Sequence, residues 1–155
     1  MYIQIENSNE LMEYFDDFIN SARIMIQRTG SHSQTPESII KIVLANINSG
    51  DLFFLVGIDD ENQYFGFMAA LLIHDKNYPW VEVLGISTKP RWASSVKVEA
   101  NKHLENWCRL KGAKKIVTIV TRKAKRDKWI GELFYNWFHK PLGYKQVGTL
   151  LEKEL

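Results

Sequence analysis

Residues 85–96 read GISTKPRWASSV, and the fold of the chain turns on them. Upstream, WVEVLGIS (residues 80–87) has the apolar, β-branched character of a strand. Downstream, Val96, Ala100, Leu104 and Trp107 recur at helical spacing. A strand that feeds an amphipathic helix offers an anion the helix N-terminus, with its unpaired amides and positive dipole end. Such turns favour glycine, which lets a phosphate approach closely and permits backbone angles other residues avoid. Between Ile86 and Val96 there is no glycine. The stretch is either a phosphate turn that has lost its glycines or an ordinary strand-to-helix connection.

The helix after this turn runs to Gly112, the usual left-handed C-terminal residue. It carries Glu99/His103 and Glu105/Arg109 at four-residue spacing on its solvent side. KKIVTIV (residues 114–120) reads as the next strand. Asp127 then caps a helix with Ile130, Leu133, Phe134, Trp137 and Phe138, which Pro141 ends. The tail GYKQVGTLLEKEL is extended and alternating. On the N-terminal side, MYIQI is a short strand. Asn7 and Glu10 have capping-box spacing ahead of Leu11, Tyr14, Phe15, Phe18 and Ile19. Thr35 and Pro36 open a second helix bearing Ile39, Ile40, Val43, Leu44 and Ile47. DLFFLVGI and QYFGFMAALLI flank Asp59, Asp60, Glu61 and Asn62, which predicts an antiparallel hairpin. The element order is β-α-α-β-β-β-α-β-α-β, a mixed-sheet α/β (α+β) domain spanning residues 1–155 as one unit.

No apolar run approaches the roughly 20 residues of a membrane span. The N-terminus lacks a basic segment followed by an apolar stretch, and Cys108 is the only cysteine, so a reducing, cytoplasmic setting is expected. The net charge of +2 hides a split: residues 1–75 hold 11 acids and 3 bases, residues 76–155 hold 7 acids and 17 bases. Nine bases lie between Arg109 and Lys128 against Asp127 alone. That density suits an anionic ligand or a solvated surface. No nucleic-acid motif accompanies it, and the histidines show no metal-ligand spacing.

With these elements in place, the chain resembles the GNAT superfamily of acyl-CoA-dependent N-acyltransferases. The element order matches over essentially the whole length. LGIST at the end of the fourth strand, the helix up to Lys111, Gly112 and Ala113, and LGYKQVG before the final strand carry the local likeness. Small divergent members from phages and other mobile elements look most similar. The resemblance implies a mixed, mostly antiparallel sheet flanked by helices, with acetyl-CoA as cosubstrate. In the family, a hydrophobic-Gly-Val/Ile step is followed five residues later by the pattern Arg/Gln-x-x-Gly-x-Gly/Ala. Here Leu84, Gly85 and Ile86 lead to Arg91, and the two small positions are Ser94 and Val96. The cofactor-binding set implied is Leu84, Gly85, Ile86, Arg91, Trp92, Ala93, Ser94 and Ser95. Ser94 can still cap the helix, and its hydroxyl could donate to a phosphate oxygen; Val96 would crowd a phosphate if its amide must make the contact, and it also fits as the first buried residue of the helix stripe.

Acyl transfer to an amine calls for a general base and an acid for the departing thiolate. Glu82 is the base candidate, expected on the same strand face as Trp80, Leu84 and Ile86; its alternative is a solvent-facing or lysine-paired carboxylate. In the family the acid lies four residues before the Gly of a Gly-aromatic step, which the resemblance puts at His139; Tyr135 lies one turn earlier on the same helical face, and either residue could serve, or neither. Where the family often has an Asn after the fifth strand, this chain has Thr121, Arg122 and Lys123; the two bases could reach the 3′-phosphate of CoA. The acceptor is an amine of a small molecule or a protein. The competing reading is a catalytically inactive GNAT-like fold used as a binding or structural component with an assembly partner, for example in a phage virion.

Overall fold

The computed structural model describes residues 1–29, 35–118, 137 and 140–144. The strands are β1 (Tyr2–Gln4), β2 (Leu52–Ile58), β3 (Tyr64–Ile73), β4 (Trp80–Thr88) and β5 (Ile116–Thr118). They lie in that order in one sheet. β1 to β4 pair antiparallel, and β4 pairs with β5 in parallel. A parallel pair needs a long crossover. Here it is the helical run from Pro90 to Leu110, which includes α4 (Ala93–Ser95) and α5 (Asn101–Leu110). The predicted mixed α+β architecture is therefore what the described residues adopt. The Asp127-capped helix and the last strand lie outside them, apart from Trp137.

Helices α1 (Ser8–Met12), α2 (Phe15–Thr29) and α3 (Pro36–Asn46) cover one face of the sheet. Asn7 caps α1 by accepting from the Glu10 amide at 3.1 Å. The single helix expected after it breaks at Glu13 and Tyr14 into α1 and α2. Thr35 caps α3, with Pro36 in its first turn as predicted. β2 is buried at every residue because both its faces are covered. Leu52, Phe54, Val56 and Ile58 meet α1 to α3, whereas Phe53 and Leu55 meet α5. Phe18, Phe54 and Phe67 form the aromatic centre of the first layer, with centroids 5.0 to 5.8 Å apart. Val96, Ala100, Leu104 and Trp107 line the second layer, as their spacing predicted.

Two irregularities shape one end of the sheet. Gly57 pairs with Gly66 and Ile58 with Tyr64, so Phe65 is an extra residue on β3. Ala69 pairs with Gly85 and Ala70 with Val83, so Leu84 is an extra residue on β4. A bulge bends its strand and re-aims side chains. A Cβ at Gly57 would run into the Phe65 ring, and one at Gly66 would run into the Ser87 carbonyl oxygen. Both glycines are there because neighbouring groups pass too close for a side chain.

Candidate functional site

The Leu84 bulge lies next to the last described β4–β5 residue pair. Val81, Glu82 and Val83 lie opposite Ile116, Val117 and Thr118, and among the described residues the ladder goes no further. Beyond it, β4 continues alongside β3 to Thr88. The bulge also changes which face each side chain takes. Leu84 and Gly85 both lie towards α2, where a Cβ on Gly85 would press on Met25, while Ile86 packs on the opposite face with Val83 and Trp92. The expectation that Glu82 and Ile86 share a face is therefore corrected. Glu82 keeps Leu84's face, because no irregularity lies between them, and Ile86 does not. Strict alternation fails because two residues of β4 oppose one of β3.

Glu82 is half-buried, directly opposite Leu71 on β3 and Val117 on β5. Its carboxylate makes no hydrogen bond or ion pair with the described residues, so none of their lysines neutralises it. Lys115, the basic residue nearest in β5's approach, instead lies over the rings of Tyr78 and Trp80 at 5.4 and 5.5 Å.

The turn after β4 is built without glycine. Lys89 is extended and donates its amide to the Phe65 carbonyl at 2.8 Å. Pro90 then fixes the φ of the first helical residue, and Pro90–Trp92 forms a 3-10 turn closed by the Trp92 amide on the Lys89 carbonyl at 3.0 Å. The helix thus begins at Pro90, four residues before Ser94. Ser94 is exposed within the helix and caps nothing, which corrects the expectation for it. Val96 is 4% exposed, with its side chain in the core layer shared with Phe53 and Leu55. Its branched side chain is therefore directed at the sheet and not at the turn, as its place at the start of the buried helix stripe predicts. Val96–Ala100 is a π-helical turn. With more residues per turn than an α-helix, it offsets the drift of four-residue spacing, so Val96 and Ala100 both reach the sheet.

The nominated side chains have distinct surroundings. Arg91 is exposed, lies 5.4 Å from the Trp92 ring centroid, and donates from Nη2 to Asp59 Oδ2 at 2.9 Å. Trp92 is half-buried and stacks on Phe65. Ala93 is half-buried. Ser95 Oγ is 2.8 Å from the Tyr2 hydroxyl and donates to Glu99 Oε1 at 3.3 Å. Burial, above all, pushes the Tyr2 phenol upward, with Ser95 pulling against it. Glu99 therefore interacts with Ser95 rather than with His103, while the Glu105–Arg109 pair forms as expected at 3.0 Å.

Tyr135, His139, Arg122 and Lys123 lie outside the described residues. Trp137, between the two acid candidates, is described: Lys97 donates to its carbonyl at 2.6 Å and lies 5.2 Å from its ring. That contact sets Trp137 beside the first turns of the crossover helix. Tyr144 is half-buried; burial raises its phenol pKa, and the neighbouring Cys108 and Glu105 add to the effect. Cys108 is itself buried, and desolvation pushes its thiol up to about 11. Among the described residues, no group of His, Cys, Asp or Glu could hold a metal ion, and no helix is long and apolar enough to cross a membrane.

Asp59 and Lys97 were missed by the sequence reading. Asp59 looked like any turn residue of a hairpin, and its single signal was an Asx-turn pattern common to many loops. Lys97 carried no signal, since its partner is 40 residues away.

No family model and no curated protein matches this sequence. Solved structures do match across the whole chain. An aminoglycoside 6′-N-acetyltransferase, AAC(6′)-Ih from Acinetobacter baumannii, superposes with TM-score 0.70 at 12% identity, covering 100% of this chain and 97% of its own. AAC(6′)-Iy, solved with the bisubstrate analogue CoA-S-monomethyl-acetylneamine, gives 0.67 at 14% identity, with coverage of 100% and 97%. Glucosamine-6-phosphate N-acetyltransferase from Arabidopsis thaliana gives 0.64 at 12% identity, with coverage of 99% and 98%. The chain has the fold of the GNAT acetyltransferases.

Proposed function

We propose that the chain is an acyl-CoA-dependent N-acyltransferase that moves an acetyl group from acetyl-CoA to an amine of a small molecule or a protein. The observation that carries this reading is the Leu84 bulge. It lies two residues beyond Glu82 on β4, ahead of the helix that starts at Pro90. Open sheets take ligands beyond the carboxyl ends of parallel strands, and that is where this helix begins. Its N-terminus suits a pyrophosphate, with the Arg91 guanidinium beside it. Glycine is not needed for that fit, because Pro90 sets the turn and the Val96 side chain is out of the way in the core.

In this reading Glu82 accepts a proton from the acceptor amine as its nitrogen attacks the thioester carbonyl. The new bond is N–C and the one that breaks is C–S. The departing thiolate takes a proton from Tyr135 or His139. Arg122 and Lys123 follow β5 in sequence and would meet the 3′-phosphate of CoA. The fold neighbours that act on amino sugars support an amine acceptor, and they do not define which one.

The second reading, a GNAT-like binding or structural component without catalysis, is favoured by one feature: Ser94 and Val96 replace the family's two small residues. Calorimetric titration with acetyl-CoA separates the two. Saturable binding, followed by acetyl transfer to a panel of amines, supports the enzyme. Absence of binding at millimolar acetyl-CoA supports the component.

A further inference from the structure

Asp59 is the most unusual charged group in the described chain. Its side chain is 5% exposed, although it lies in a hairpin turn whose other residues are mostly solvated. Both carboxylate oxygens are used. Oδ1 accepts from the amides of Glu61 at 3.0 Å and Gln63 at 2.9 Å, which organises the turn between β2 and β3 and accommodates Asn62 at a left-handed φ of 58°. Oδ2 is turned the other way and accepts from Arg91, 32 residues along the chain.

Arg91 holds the position at the head of the crossover helix, and its side chain is 69% exposed. A free surface arginine loses considerable rotamer entropy when a ligand fixes it, so one already held in place binds at a lower entropic cost. The guanidinium has five donors in a rigid fork. The one bond recorded to Asp59 leaves most of these donors available for a second anion. The same turn is held twice more by β3: the Lys89 amide bonds to the Phe65 carbonyl, and Trp92 stacks on the Phe65 ring. Three attachments to one hairpin thus fix residues 89–92 without a glycine.

We infer that Asp59 is a positioning residue for the acyl-CoA phosphates: it orients Arg91 from below so that the guanidinium bridges a buried carboxylate and a bound pyrophosphate. The inference rests on the acyl-CoA reading. It assigns to the β2–β3 hairpin the rigidity that a glycine-rich turn would otherwise supply. Asp59 does not touch the reacting atoms; it acts through Arg91.

Asp59→Asn isolates this role. Asn retains an oxygen for the Glu61 and Gln63 amides, so the turn persists, but it faces Arg91 with an amide nitrogen that cannot accept. Acetyl-CoA and acetyl-pantetheine, which lacks the pyrophosphate, are titrated into the full chain and into Asp59→Asn, Arg91→Ala and the double variant. Acetyl-CoA should bind about tenfold more weakly to Asp59→Asn, the size of one charge-assisted hydrogen bond. The double variant should bind no more weakly than Arg91→Ala, because the two residues act as one unit. Acetyl-pantetheine affinity should be the same in all four proteins, which a merely structural defect would not allow. Arg91→Lys, a surface change, keeps a charge but lacks the planar fork that presents separate donors to the two anions, and it should also lose about tenfold. Unchanged or tighter acetyl-CoA binding by Asp59→Asn, additive losses, equal losses for acetyl-pantetheine, or full affinity in Arg91→Lys would each overturn the inference while leaving the acyl-CoA reading standing. A parent chain that does not bind acetyl-CoA defeats the reading, and the inference with it.

Discussion

The ring of Phe65 stacks on the indole of Trp92 at 4.5 Å and 12°, and it can do so only because Phe65 is the extra residue of a bulge. Regular alternation would put Phe65 on the α2 face with Phe67; the bulge turns it to the α5 face instead. Removing the indole should therefore loosen the turn at residues 89–92 as well as the core beneath it. Trp92→Ala is expected to cost about 2 kcal/mol in urea denaturation, less than a fully buried aromatic would. Acetyl-CoA affinity should fall in the same variant.

Val96→Gly tests where the branched side chain lies. If Val96 crowded the phosphate turn, glycine would tighten acetyl-CoA binding. With Val96 buried against Phe53 and Leu55, glycine instead leaves a cavity inside a helix. The expected loss is about 3 kcal/mol of stability, with no gain in affinity; chemical denaturation and calorimetry on one preparation decide it.

Glu82→Gln should lower acetyl transfer at neutral pH by about a hundredfold or more while acetyl-CoA affinity holds, as expected on loss of a general base. Tyr135→Phe and His139→Ala then identify the acid by which one lowers turnover. Three variants with parental rates would take all of these residues out of the chemistry.

Replacing Arg122 and Lys123 together with Ala should weaken acetyl-CoA binding and reduce its salt dependence. Duplex DNA should bind weakly at physiological salt. Tight DNA binding with a steep salt slope, coupled to an unchanged acetyl-CoA affinity, would reassign the basic segment to a nucleic acid.

Asp59 also predicts an acid-side effect on stability. The Gln63 amide first, then the Glu61 amide and Arg91, hold its carboxyl below the ordinary value of 3.8 despite its burial. A depressed folded-state pKa contributes stability above the unfolded value, and that contribution is lost as pH falls through the folded one. Between about pH 5 and pH 2, the parent should therefore lose more stability than Asp59→Asn. Parallel melting curves for the two proteins would contradict this.

Local chemistry was enough to place most elements. Thr35 with Pro36 marked a helix start, Gly112 a helix end, and the spacing of Val96, Ala100, Leu104 and Trp107 a buried helix face, because each signal acts within one or two turns of chain. The helix between β4 and β5 permits their parallel partnership without demanding it, since helices also separate the antiparallel β1 and β2. The two bulges were not legible. Nothing local marks Phe65 or Leu84 as the extra residue; register is settled by what fills each face once the strands pair. That is why Ile86 was expected on the wrong face. The Asp59–Arg91 bond belongs to the same class. It joins two polar residues from loops 32 positions apart, and only the folded sheet brings both ends of that separation to one edge.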